Sequence, residues 1–312
     1  MFVHILTLTA PLFLLVLVGY ALSKWGGWPK AASDALTRFV FSLAVPTLLF
    51  RMMGDFSRLP TPRPELLVAF FGSCLLVFIL GRVVARFVFR MDGVAQSVFA
   101  LGGIFSNNVL LGVPLAKITL GDESIPAVSL VLLFNALILW TLVTVSVEWA
   151  RHRAPTWTAL GRTAKGVATN PIVASIIVGT AFGFTGLALP TMVDQTLALV
   201  GQAAVPLSLI ALGMGLAEYG AREGWHQSMT ICALKLAVQP IVVFLLARAL
   251  ALPPLETRVV VMLASLPVGA NVYLMSRQFG VLEGPIASSL VISTALAAAT
   301  TPVVLALTSV SP

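Results

Sequence analysis

Charge is what this sequence has least of. Only 10% of its 312 residues are Asp, Glu, Lys or Arg, whereas a soluble domain carries about 25%. Hydrophobic residues make up 58% and the mean hydropathy is +1.00, which excludes a soluble globular chain and points to an integral membrane protein. Acid is scarcest at depth. Of twelve Asp and Glu, seven (Asp34, Glu65, Asp92, Glu148, Asp194, Glu218 and Glu256) border apolar runs and the other five fall in connections. The three histidines, His4, His152 and His226, also sit at run ends. Proton relays in membranes use intramembrane Asp, Glu or His, so a carboxylate-based proton or sodium antiporter is disfavoured. Sodium held by backbone carbonyls stays open. An intramembrane enzyme is disfavoured for a similar reason, because no deep His, Asp or Glu accompanies the Ser and Thr hydroxyls. Cysteine is limited to Cys74 and Cys232, both inside apolar runs, and this implies free buried thiols. No metal-ligand cluster and no G-x-x-x-x-G-K-[ST] loop appear, so neither a metal, a cofactor nor direct ATP use is expected. Phe2 to Ser23 has neither a basic n-region nor an A-x-A-type site and reads as a first span rather than a cleaved signal.

Long apolar runs are abundant. A span needs about 20 apolar residues, and ten runs qualify: 3–23, 35–53, 66–89, 94–117, 125–149, 168–189, 194–217, 227–250, 256–279 and 284–308. The longest polar connection divides them, giving residues 1–150 with five spans, a connection over 151–167, and residues 168–312 with five more. The halves resemble each other. At an offset of 160, Pro11, Val18, Gly19, Ala21 and Gly26 meet Pro171, Val178, Gly179, Ala181 and Gly186, and Ala44-Val45-Pro46 meets Ala204-Val205-Pro206. Five is odd, so the second half enters the membrane from the opposite side. The expected fold is all-α, with ten transmembrane helices in a 5+5 inverted repeat. The formal charge of +7 comes from basic residues that border the spans, so it reads as an orientation signal and no nucleic-acid partner is expected. Twelve basic residues fall on the side of the 151–167 connection and six on the side of the termini, which places both termini outside the cytoplasm.

Two runs are broken at their centres. The fourth carries SNNVLLGVP, with Asn107, Asn108, Gly112 and Pro114; the ninth carries SLPVGAN, with Pro267, Gly269 and Asn271. Lipid offers no partner to a freed backbone group, so such breaks are tolerated only inside protein or against a watery cavity. One broken span in each half is the best sequence pointer to a transporter's site. Asn107 and Asn271 fall opposite each other at an offset of 164. Together with Asn108 they are the candidate substrate-binding amides, able both to donate and to accept hydrogen bonds. Gly112, Pro114, Pro267 and Gly269 are the helix breaks at the crossing. Lys235 lies nine residues into the eighth run and faces no deep acid. It is a candidate for the anion site, with a structural tie to backbone carbonyls as the alternative reading. Half-helix ends carry charge of both signs, so the dipoles alone do not choose the ligand; an uncancelled Lys235 favours an anion.

FSNNVLLGVPLA at 105–116, NPIVASIIVG at 170–179, AAVPLSLIALGMGLA at 203–217, LKLAVQPIVV at 234–243 and LPVGANVYLMSRQFG at 266–280 together resemble the auxin efflux carrier family, including its bacterial malonate-type carboxylate carriers. The resemblance covers both halves. It implies that spans four and nine cross at their breaks and that an organic anion moves between a scaffold domain and a mobile transport domain. Family members that handle auxin use asparagines at the two crossings for the substrate carboxylate, and Asn107 or Asn108, and Asn271, are the matching positions. Plant members carry a long mid-chain loop and an acidic residue in an early span; this sequence has neither, so loop regulation and acid-based coupling do not carry over. The combined expectation is a secondary transporter for a small organic anion such as a carboxylate, embedded in lipid, in a bacterial inner membrane and without enzymatic activity. The rival is a cation-coupled symporter or antiporter of the bile-acid or sodium–proton type. A homodimer stays open as a further partner.

Overall fold

The computed structural model describes residues 2–54, 63–152, 169, 171–218 and 224–310. Most of the 151–167 connection lies outside the described residues. Everything described is helical apart from turns and one isolated two-residue bridge. In chain order the helices are α1 (Phe2–Lys24), α2 (Lys30–Phe39), α3 (Val45–Gly54), α4 (Glu65–Phe87), α5 (Gly93–Gly102), α6 (Val113–Thr119), α7 (Ile125–His152), α8 (Pro171–Phe184), α9 (Thr191–Gln202), α10 (Ala204–Leu216), α11 (Trp225–Ala233), α12 (Gln239–Ala249), α13 (Pro254–Ala264), α14 (Ala270–Phe279) and α15 (Glu283–Val310). Six stretches among the described residues are long and apolar enough to cross a membrane: Lys30–Gly54, Glu65–Phe87, Asp122–Arg151, Thr191–Leu216, Trp225–Ala249 and Glu283–Thr308. Shorter apolar helices, Ala10–Lys24, Gly93–Gly102, Asn108–Thr119 and Pro171–Phe184, fill the gaps between them.

Proline shapes three of these helical stretches in one way. A proline ring clashes with the carbonyl four residues back and offers no N–H. Ahead of Pro46, Pro114 and Pro240 the helix widens by one residue into a π-turn, over Val40–Ala44, Asn108–Gly112 and Leu234–Val238. In each case the residue before the proline donates its N–H five residues back: Val45 to Val40, Val113 to Asn108, and Gln239 to Leu234. Such π-bulges recur at functional sites. Pro206 instead follows a turn at Ala203 that separates α9 from α10.

The helices pack in two groups. α1, α2, α3, α8, α9 and α10 hold one another, while α4, α5, α7, α11, α12, α13, α14 and α15 form the other group; α6 lies between them against α1, α7 and α10, and α1 also packs on α15. Lipid gives no hydrophobic drive for helix pairing, so close approach through small residues does much of the work. A Cβ at Gly19 would overlap the Ile210 carbonyl, and one at Gly213 would overlap the Val16 carbonyl, so α1 and α10 meet backbone to backbone. On the other side of the group a Cβ at Gly179 would sit 2.7 Å from the Phe50 oxygen, and one at Gly183 2.8 Å from the Met53 oxygen, joining α8 to α3. Gly19 and Gly179 are 160 residues apart, and so are Phe50 and Ile210; the offset therefore exchanges the two contacts. Gly213→Ala is expected to destabilise the protein by about 1–3 kcal/mol through overpacking. Gly215→Ala, which meets open space, should leave stability unchanged or raise it by up to about 1 kcal/mol. Thermal unfolding of the two variants in one detergent checks the contrast.

Candidate functional site

The two interrupted runs meet at their interruptions. α5 ends at Gly102 and α13 at Ala264, and each then passes through a turn into a short non-helical segment. There Ser106 and Val268 form an antiparallel bridge. Asn107 donates its N–H to the Pro267 carbonyl at 3.0 Å and Gly269 donates to the Phe105 carbonyl at 2.8 Å. Gly269 permits the approach: a Cβ there would lie 3.0 Å from the Ser106 oxygen and 3.1 Å from the Phe105 ring.

Neighbouring helices satisfy four further groups. The Val268 N–H donates to Ser293 Oγ at 3.0 Å, and Thr301 Oγ1 donates to the Ser265 carbonyl at 3.2 Å. Gln239 Nε2 donates to the Ile104 carbonyl at 3.1 Å, and Lys235 Nζ donates to the Ala264 carbonyl at 2.5 Å. Ser293, Thr301, Lys235 and Gln239 are all fully buried. The Asn107 carbonyl takes N–H groups from Leu111 and Gly112, which closes the first turn of the helical stretch leading into α6.

A cavity of about 540 Å³ opens against the crossing. Its floor includes Ser106, Asn107, Asn108, Gly269 and Asn271, and Asn135 of α7 joins them. Phe41, Ala211 and Leu212 line it from the other helix group, and Lys30, Asp34, Glu218 and Arg277 stand toward its mouth. At the mouth Lys30 reaches Glu218 at 2.6 Å and Asp34 at 3.3 Å. Asn108 Nδ2 donates to Asn135 Oδ1 at 3.4 Å. Asn107 Nδ2, Asn108 Oδ1 and Ser106 Oγ are buried and have no hydrogen-bond partner among the described residues. An unpartnered buried polar atom carries a free-energy cost of about 1–3 kcal/mol, which a ligand or water in the cavity would offset.

The structure therefore gathers Asn107, Asn108, Asn271 and Gly269 around one cavity. It does not bring Lys235 there: the ammonium lies on the Ala264 carbonyl, behind the crossing. Gly112, Pro114 and Pro267 belong to the breaks but line no part of the cavity. Gly112 packs on Leu266 and Leu263, and Pro267 serves through its carbonyl. Asn135 and Gln239 escaped the sequence reading. Asn135 is the single amide of its run, and that was the available signal; Gln239 shares its run with Gln227 and Lys235 and had no such mark. Among the described residues no group of three or more His, Cys, Asp or Glu is placed to hold a metal ion.

A multi-pass helical membrane protein whose broken helices cross beside an amide-bearing cavity has the architecture of a membrane transporter. The chain belongs to the Membrane transport protein family, whose model matches residues 4–305; this is the auxin efflux carrier family that its motifs resemble. A Rhizobium meliloti protein provisionally named a malonate transporter is 28% identical over 296 residues, covering 94% of this chain and 92% of its own length. An uncharacterized transporter of Methanocaldococcus jannaschii is 24% identical over 295 residues, covering 90% of this chain and 91% of its own.

Gly269→Ala should push the bridge apart and lower stability by about 1–3 kcal/mol, since neither backbone nor ring can yield freely at that contact. Thermal unfolding of the purified variant reads it.

Proposed function

We propose that this protein is a secondary transporter that carries a small organic anion, a carboxylate of the malonate or auxin kind, by alternating access of the elevator type. The observation that carries the reading is how the half-helix ends at the crossing are sorted. The two carboxyl-terminal ends, at Ile104 and Ala264, are capped by Gln239 and Lys235. The amino-terminal ends, at Asn108–Leu110 and Gly269–Asn271, line the cavity. Helix amino termini carry partial positive charge and free N–H groups, so the cavity presents positive potential and amide donors, and no acid lies at its floor. That suits a carboxylate held by Asn107, Asn108 and Asn271.

Further observations support the architectural part. The exchange of the Gly19–Ile210 and Gly179–Phe50 contacts under one offset fits a 5+5 inverted repeat of ten spans, with residues 1–150 and 168–312 as the repeats. The Ser106–Val268 bridge then lies near the pseudo-two-fold axis. The division into two helix groups, with the cavity between them, fits a scaffold and a moving unit. We place both termini on the periplasmic face of a bacterial inner membrane. Lys30 and Arg277 then put the cavity's mouth toward the cytoplasm.

Uptake of labelled malonate and related carboxylates into proteoliposomes tests the function. Saturable uptake is expected, and comparison with and without proton and sodium gradients separates anion transport from the cation-coupled rival. Asn107→Leu should weaken binding by about 1.5–3 kcal/mol, the range for a hydrogen bond to a charged group. Failure of every small carboxylate to be taken up would overturn the reading. Topology has its own test: Thr158→Cys should resist an impermeant thiol reagent in intact spheroplasts and react after lysis.

A further inference from the structure

One helical stretch serves both breaks. Trp225–Ala249 carries Lys235 and Gln239 four residues apart. Residues at that spacing lie on the same face of a helix. Lys235 is in the π-turn and Gln239 directly follows it. Lys235 holds the carbonyl that ends α13, and Gln239 holds the carbonyl just beyond the end of α5. Gln239 Nε2 also lies 3.4 Å from Cys74 Sγ on α4, so the amide is fixed from a third helix. Gln239 Oε1 is buried without a donor among the described residues, so the amide is held through Nε2.

The two carbonyls belong to different broken runs, and each carries the negative end of a half-helix. Left bare in a low-dielectric interior they would repel each other and an anion on the far side of the crossing. The breaks would also be held less firmly, because among the described residues two hydrogen bonds, Phe105–Gly269 and Asn107–Pro267, join the two backbones directly at the crossing. We propose that Lys235 and Gln239 form a paired clamp: they are positioning residues that fix the two breaks relative to each other and thereby face Asn107 and Asn271 into one cavity. Its consequence for transport rests on the anion-site reading above; the clamp itself is measurable without transport.

The test uses the full-length protein in lipid nanodiscs and hydrogen-exchange mass spectrometry. Gln239→Met and Lys235→Met remove the donors at similar length; Lys235→Arg keeps charge and donors. Each Met variant should speed exchange at the Asn107 and Gly269 amides by at least about tenfold, equivalent to a loss of about 1.4 kcal/mol of local protection. Peptides from α1 and α10 should be unchanged, and Lys235→Arg should stay nearer the parent protein than Lys235→Met. In proteoliposomes the Met variants should raise the KM for malonate more than they lower Vmax. Unchanged exchange at the bridge in both Met variants overturns the clamp. So does a uniform rise across all helices with a lowered Tm, which would mark a general packing role. If the parent protein takes up no malonate, the proposed substrate fails, and the exchange data still decide the clamp.

Discussion

A backbone interrupted inside lipid must find a partner for every N–H and C=O it releases, and this requirement organises the centre of the molecule. Each break answers half of the other's need through the Ser106–Val268 bridge. The remainder falls to side chains that would otherwise be misplaced in an apolar interior: Ser293 and Thr301 on α15, Lys235 and Gln239 on the stretch before α13. Their full burial follows from the crossing. A hydroxyl or amide at those positions costs free energy in isolation; next to a bare carbonyl or N–H it removes a larger cost.

Satisfying the breaks also sorts charge. The capping groups lie behind the crossing and meet carbonyl ends, so the cavity side is left with amino-terminal ends and amides that are not fully bonded. The π-turns ahead of Pro46 and Pro114 bring Phe41 and Asn108–Leu110 to the cavity wall. Charged residues stay toward the mouth, where Lys30 is neutralised by Glu218 and Asp34.

Much of this was legible from residues alone. The interruptions at SNNVLLGVP and SLPVGAN are visible because Asn, Gly and Pro rarely cluster in mid-span without a reason, and each of the ten apolar runs contains helix. Lys235 shows where legibility ends. Its depth can be counted, but which half-helix end its ammonium meets depends on how two runs with breaks 164 residues apart cross. Gln239 shares its run with Gln227 and Lys235, so its amide did not stand out, and Asn135 lay in an unbroken run with no punctuation to mark it. The π-turns follow from proline chemistry, but three similar positions gave π-turns and Pro206 did not. Local sequence does not separate those outcomes.

The glycine contacts of α1 have a consequence for biogenesis. Gly19 docks on Ile210, about 190 residues later in the chain. At a synthesis rate of about 5–20 residues per second, α1 waits roughly 10–40 s in the bilayer before its partner emerges from the ribosome. During that interval its groove must face lipid or a chaperone without capturing a wrong helix. The same delay applies in shorter form to α3, whose partner α8 begins the second half. Neither half can complete its packing alone, so the nascent first half is a substrate for membrane quality control until the second has been made.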